Sequence, residues 1–112
     1  MNVQPLEEYD TRVNGTSLTG YLEIRYSDLV EMFGEPLTGD GYKVDAEWNL
    51  EIDGDNIVTI YNYKTGKNYL GANGLNVEDI TRWHIGSKSL GPALVLDHYL
   101  EEQGINAKFA IS

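Results

Sequence analysis

Residues 42–53 read YKVDAEWNLEID, and apolar and polar side chains alternate through the whole stretch. Successive side chains of a β-strand point to opposite faces of a sheet, so this pattern predicts one long strand with a buried and a solvated face. The apolar face comprises Tyr42, Val44, Ala46, Trp48, Leu50 and Ile52. The solvated face carries the acidic residues Asp45, Glu47, Glu51 and Asp53.

The residues that follow predict the return strand of a β-hairpin. Asp53-Gly54-Asp55-Asn56 has the composition of a tight turn. Residues 57–64, IVTIYNYK, are rich in β-branched and aromatic side chains, which favour strands. Two strands joined by such a turn are typical of a hairpin.

The rest of the chain predicts an α+β domain. Apolar spacing and turn residues indicate a strand at 18–25, a helix at 28–33, a strand at 80–85, a helix at 92–103 and a strand at 105–111. The order β-α-β-β-β-α-β implies an antiparallel sheet of four to five strands with two helices on one face. Residues 1–16 have weak periodicity and are predicted to form a flexible or peripheral arm, with residues 17–112 as the single domain.

Composition excludes several classes of protein. The 112 residues are 41% hydrophobic and include eight Tyr, which argues against disorder. The chain has no Cys, so neither a disulfide framework nor a thiolate metal site is expected. It has no run of about 18 apolar residues and no secretory signal pattern at its start, so we expect a cytoplasmic protein without a membrane span.

The net charge of −10 is unevenly distributed. Nine acidic residues lie between Asp28 and Asp55, against the single base Lys43. Such a charge repels nucleic acid and anionic lipid and attracts basic surfaces. We therefore expect a protein partner with a basic surface and no direct contact with nucleic acid or membrane.

The acidic residues of the hairpin are the strongest candidate for a binding surface. Their candidate members are Asp45, Glu47, Glu51, Asp53 and Asp55. The alternative is a solvated sheet face that only keeps the domain soluble. Alternate strand residues are about 6.7 Å apart, about twice the phosphate spacing along one DNA strand. Mimicry of DNA would thus need a second acidic row, for which the first helix offers Asp28, Glu31 and Glu35.

A second candidate site opens the last helix. Ser87, Lys88 and Ser89 stand between two glycines and resemble an anion-binding helix end, although an ordinary helix cap explains them as well. With the Gly/Asn-rich loop 65–76, they support an alternative function: binding or sequestering a nucleotide or a phosphorylated metabolite.

No catalytic pattern is present. His84 and His98 have no recognisable nucleophile beside them, and no cofactor or metal motif occurs, so we do not expect an enzyme. Some aromatic residues alternate with bases, and cross-strand packing, a protein interface or base stacking explains them. They are Tyr61, Tyr63, Tyr69 and Trp83, interleaved with Lys64, Lys67 and Arg82. An exposed terminal strand at 105–111 would allow a homodimer.

Three segments carry a resemblance to known sequences: YKVDAEW at 42–48, VTIYNYK at 58–64 and TRWHIG at 81–86. Over roughly residues 33–86, the chain resembles small, mostly uncharacterised proteins encoded by bacteriophages. The resemblance supplies no catalytic residues. It implies an accessory protein that acts inside a bacterial host, similar in character to inhibitors of host defence such as anti-CRISPR and anti-restriction proteins.

Overall fold

A β-hairpin forms the middle of the fold, as residues 42–64 predict. The computed structural model describes residues 1–112. Strands β3 (Glu47–Ile52) and β4 (Asn56–Tyr61) pair antiparallel, with Trp48 opposite Ile60. Asp53 and Gly54 in the turn have positive φ angles of 52° and 85°. Asp and Gly are among the residues that tolerate this conformation, so the local sequence suits the turn.

The predicted long strand is too long, because β3 begins at Glu47 and not at Tyr42. The carboxylate of Asp40 accepts hydrogen bonds from the backbone N–H groups of residues 42–44 at 2.9–3.0 Å. The side-chain oxygen of Asn62 accepts from the next two N–H groups at 2.7 and 3.1 Å. Side chains therefore satisfy the donors that a strand would give to a neighbour.

Four more strands and three helices complete the fold. They are β1 (Val3–Pro5), β2 (Ser17–Glu23), α1 (Tyr26–Phe33), α2 (Lys67–Leu70), β5 (Arg82–Ser87), α3 (Leu90–Glu102) and β6 (Lys108–Ile111). The α+β class and the antiparallel sheet are confirmed, but the sheet has six strands, and the helices number three instead of two. The additional elements are β1 and α2, which are too short to show a hydrophobic period.

The strand order across the sheet is β1-β3-β4-β5-β2-β6, and every neighbouring pair is antiparallel. β1 and β6 are therefore the two edges. Pro5 lies in the edge strand β1. Proline has no backbone N–H group, and on the unpaired side of an edge strand this removes no hydrogen bond from the sheet. β2, near the start of the chain, pairs with the late strands β5 and β6.

Helices α1 and α3 cover one face of the sheet, as predicted. The shared core contains Leu29 and Phe33 from α1, Ala93, Leu96 and Leu100 from α3, and the sheet residues Leu22, Trp48, Leu50, Ile52, Val58, Ile60, Trp83 and Ile85. The two tryptophan rings meet edge to face at 5.3 Å, and both indole N–H groups donate to backbone carbonyls. None of the helices has the length and apolar character needed to cross a membrane.

The opposite face of the sheet, called the open face below, is partly covered by the N-terminal arm. The Leu6 N–H donates to the carbonyl of Asn49 at 2.7 Å, and the 3-10 turn Thr11–Val13 lies against β4. The Arg12 guanidinium forms ion pairs with Asp10 and Glu51. The arm explains why Asn49, which points away from the helices, is only 3% exposed.

Candidate functional site

Four side chains form a row across the open face at one level of the sheet. Glu47 on β3 is opposite Tyr61 on β4, Tyr61 is opposite His84 on β5, and His84 is opposite Tyr21 on β2. Alternation along each strand places the large apolar residues on the helix-covered face and these four on the other. The row thus follows from strand order and register.

His84 is surrounded by tyrosine rings. The Tyr21 ring meets the imidazole edge to face at 5.1 Å, and the rings of Tyr61 and Tyr63 are each 5.5 Å from it. Burial lowers the pKa of His84 below its ordinary value of 6.5, and the nearby Arg82 guanidinium lowers it further. His84 is therefore a neutral aromatic ring at pH 7.

Beside this row lies a shallow depression of about 260 Å³, called the Glu47 depression below. The arm supplies Val13 and Thr16, the loop before β3 supplies Asp40 and Val44, and the hairpin supplies Glu47, Thr59, Tyr61 and Tyr63. Its lining thus combines two carboxyl groups with two tyrosine rings. Tyr63 is 38% exposed, so the depression opens to solvent.

The carboxyl group of Glu47 is half-buried and forms no ion pair. Burial raises its pKa, the neighbouring Asn49 side chain opposes that rise, and the like charges of Asp40 and Glu8 add to it. The Tyr61 hydroxyl has a raised pKa for related reasons, first burial and then the Glu47 carboxylate. The negative charge of Glu47 is thus not balanced by a neighbouring base.

The pKa of Asp40 is shifted in the opposite direction, below its ordinary value. The backbone N–H of Tyr42 lowers the pKa of Asp40 most, further backbone N–H groups and the Lys43 charge add to this effect, and burial opposes it. Asp40 therefore stays ionised well into the acidic range. The loop that carries it is held by Asn62, whose side chain also donates to Asp45 at 2.9 Å.

Lysines lie over the exposed tyrosine rings next to the depression. The ammonium group of Lys64 is 5.2 Å from the ring of Tyr63 and 5.3 Å from that of Tyr69. The Tyr69 ring in turn contacts Tyr42 at 5.3 Å. Of the predicted aromatic and basic group, Trp83 alone is a fully buried core residue, on the helix-covered face.

The predicted acidic residues of the hairpin do not form one uniform stripe. Asp45 precedes β3 and accepts hydrogen bonds from Asn62 and from the Asn68 N–H. Glu51 shares the open face with Glu47 but is paired with Arg12. Asp53 and Asp55 at the hairpin turn, Glu31 on α1 and Glu35 just after α1 are exposed, whereas Asp28 on α1 is half-buried and paired with Arg25.

The residues of the second candidate site lie at the start of α3. Ser87 is buried, and its hydroxyl donates to the carbonyl of Ser89 at 2.6 Å and lies 2.7 Å from the Thr19 hydroxyl. Lys88 and Ser89 are exposed. Because the Ser87 hydroxyl is already engaged, nothing in this segment favours the small-ligand function over an ordinary helix start.

No protein-family model, curated protein or solved structure matches this chain. No group of three or more His, Asp and Glu side chains is arranged to hold a metal ion.

The sequence singled out Glu47 as an acidic residue and Tyr61 and Tyr63 as aromatic residues interleaved with bases, but it did not indicate that they lie close to Asp40. The alternation of residues 57–63 does place Thr59, Tyr61 and Tyr63 on one side of a strand. Nothing local indicates that the loop at Asp40 and the arm would close the other sides of the depression, because both are positioned by long-range contacts.

Proposed function

We propose that this chain is a binding protein whose partner presents a basic surface, and that it inhibits a nucleic-acid-handling complex of a bacterial host, as anti-CRISPR and anti-restriction proteins do. The observation that carries the proposal is the imbalance of charge on the folded molecule. Only four of the eighteen acidic side chains, those of Asp10, Asp28, Glu51 and Glu102, lie within ion-pairing distance of a base. The other fourteen carboxylates have no ion-pair partner within the chain, and their field attracts basic surfaces.

Two exposed groups of acids are suited to meet such a partner. The first combines Glu31 of α1 with Glu35, two residues after α1, and with Glu78, since Glu35 and Glu78 both act on the pKa of Tyr26 after the larger effect of its burial. The second is the hairpin turn with Asp53 and Asp55. Exposed charges of this kind accelerate association with a basic surface and select against acidic ones.

The experiment is affinity capture with the tagged full chain from bacterial lysate, at roughly 0.1 M and roughly 1 M salt. Salt at the higher level screens charges beyond about 3 Å, so binding through exposed carboxylates should be lost. The proposal requires that the captured proteins belong to a nucleic-acid-handling complex and that high salt releases them.

Charge-reversal variants distinguish binding through a defined acidic surface from an effect of the overall net charge. Reversing the charge of the first acidic group with Glu31→Lys and Glu35→Lys should slow association with the captured complex by about tenfold. The matched control, Glu7→Lys with Glu102→Lys, changes net charge by the same amount at exposed positions outside both acidic groups. Equal association rates for the two double variants, or capture that survives high salt, would show that the acidic groups are not the binding surface.

A further inference from the structure

The Glu47 depression combines two carboxyl groups, those of Glu47 and Asp40, with the aromatic rings of Tyr61 and Tyr63. We infer that it receives a single cationic side chain, lysine or arginine, from the protein partner. This inference rests on the proposed function, because it takes the partner's surface to be basic, and it adds the position at which that surface is anchored.

The walls of the depression suit a cation. Tyr61 and Tyr63 both line it, and the face of a tyrosine ring attracts ammonium and guanidinium groups. The molecule already makes this contact nearby, where Lys64 lies over the rings of Tyr63 and Tyr69 at 5.2 and 5.3 Å. Val13 and Val44 provide apolar surface for the methylene stem of an inserted side chain.

The charge in the depression is also suited to a cation. The Glu47 carboxyl group is half-buried without an ion-pair partner, and Asp40 adds a second carboxylate to the same lining. An anion would be repelled by both groups. No group of three or more His, Asp and Glu side chains is arranged to hold a metal ion, whereas two carboxyl groups beside tyrosine rings suit an organic cation.

The volume agrees with one inserted side chain. A depression of about 260 Å³ holds several water molecules, each of which occupies about 30 Å³ in the liquid. A long side chain with a charged tip displaces water from the apolar walls with its stem and pairs with the carboxylates through its tip. Both effects favour its binding.

The test is a titration of the full chain, labelled for NMR, with acetylated and amidated tri-arginine and tri-lysine peptides. A tri-citrulline peptide, neutral but nearly identical in shape to tri-arginine, is the matched ligand control. We expect the backbone amide signals of Glu47, Tyr61 and Tyr63 to shift with either cationic peptide and to stay unchanged with tri-citrulline.

Variants of the chain then locate the contact. Glu47→Gln keeps the side-chain shape but removes the charge, and should weaken peptide binding by about tenfold. Tyr63→Leu should weaken binding by about threefold. Glu102→Gln, which removes an exposed charge outside both acidic groups, should leave the affinity for these short peptides unchanged within twofold, and thermal unfolding of each variant checks that it is folded.

Three results would overturn the inference: equal shifts with tri-citrulline, shifts confined to the amides of α1, or unchanged affinity in Glu47→Gln. The proposed function fails in a different way. If the peptides bind outside the Glu47 depression while the reversal of Glu31 and Glu35 still slows association with the captured complex, the acidic-surface function stands and the anchor is wrong.

Discussion

Glu47 and Tyr61 lie directly opposite each other across the β3–β4 ladder, and the Glu47 carboxylate contributes to the raised pKa of the Tyr61 hydroxyl after the larger effect of burial. A half-buried acid facing a tyrosine, with no base beside it, is an arrangement that stability alone does not favour. Binding sites commonly contain such residues, because they are selected for what they bind.

Replacement of Glu47 by Gln should stabilise the protein at pH 7. Because the pKa of Glu47 is raised above its ordinary value of 4.5, the folded state holds the proton more tightly than the unfolded chain does. Stability linked to this group is present below about pH 4.5 and lost as pH rises through the folded-state pKa. Urea unfolding of both proteins should therefore give equal free energies at pH 4 and a more stable variant at pH 7.

The control for this comparison is Glu31→Gln, which removes one exposed acid and reports the effect of the altered net charge. A Glu47→Gln variant that is less stable than the original protein at pH 7 would mean that the ionised form of Glu47 stabilises the fold.

The protein should lose stability in mild acid because of His84. The pKa of His84 is lowered, chiefly by burial, so the unfolded chain takes up a proton at a higher pH than the folded protein. Stability linked to His84 is present above about pH 6.5 and lost as pH falls through the folded-state pKa. His84→Phe keeps an aromatic ring between Tyr21 and Tyr61 and removes the titration.

Urea unfolding between pH 5 and 7.5 measures this difference. We expect the original protein to lose more stability than His84→Phe as pH decreases across that range. Parallel pH profiles for the two proteins would show that protonation of His84 does not oppose folding.

Asn62 should be among the most sensitive polar positions in the chain. It is fully buried, its oxygen accepts from the N–H groups of Asp45 and Ala46, and its nitrogen donates to the Asp45 carboxylate and towards Thr65. Asn62→Ala leaves these groups without partners and should lower the free energy of unfolding by about 2–4 kcal/mol. Asn73→Ala, at an exposed position, is the matched control and should cost far less.

The same variant bears on the Glu47 depression. Asn62 holds the segment that connects Asp40 to β3, so its loss should also reduce tri-arginine binding, even under conditions where the variant remains folded. Chemical denaturation and the NMR titration together measure both effects. Normal stability of Asn62→Ala would mean that water replaces these hydrogen bonds without cost.

Gly20 should not tolerate a side chain. A Cβ atom there would lie 2.7 Å from the Phe109 ring and 2.9 Å from the Ala110 carbonyl oxygen, so β6 would have to move. Gly20→Ala should cost about 1–3 kcal/mol and increase amide hydrogen exchange in β6. At Gly91 in α3 the nearest atom would be 4.0 Å away, so Gly91→Ala should be neutral or stabilising. Equal stability of the two variants would show that β6 adjusts freely.

The parts of the fold that local pattern determines were predictable. The alternation at Trp48, Leu50 and Ile52 correctly placed the buried face of β3, and the Asp53-Gly54 turn correctly joined it to β4. The same alternation failed at Tyr42, because Asp40 and the distant Asn62 take the backbone donors of that segment. A pattern of side chains does not reveal which backbone groups a remote side chain will occupy.

The candidate site was predictable only in fragments. Glu47 stood out by its charge, and Tyr61 and Tyr63 as aromatic residues interleaved with bases. Their meeting with Asp40 and Val13 depends on the arm crossing the open face and on a loop capped by a single carboxylate. These placements are set by tertiary contacts, which leave no periodic signal in the sequence.

The position of β2 in the sheet has a consequence for folding kinetics. Its two neighbours are β5 and β6, so Leu22 has no strand partner until Trp83 and Phe109 are available. Only the β3–β4 hairpin and the helices are able to form from contacts close in sequence. Loop-closure entropy must be overcome before the remaining pairings gain any energy, so this small domain belongs among the slower folders, in the range of milliseconds to seconds. During synthesis, β2 emerges early but has no strand to pair with until β5 and β6 have left the ribosome.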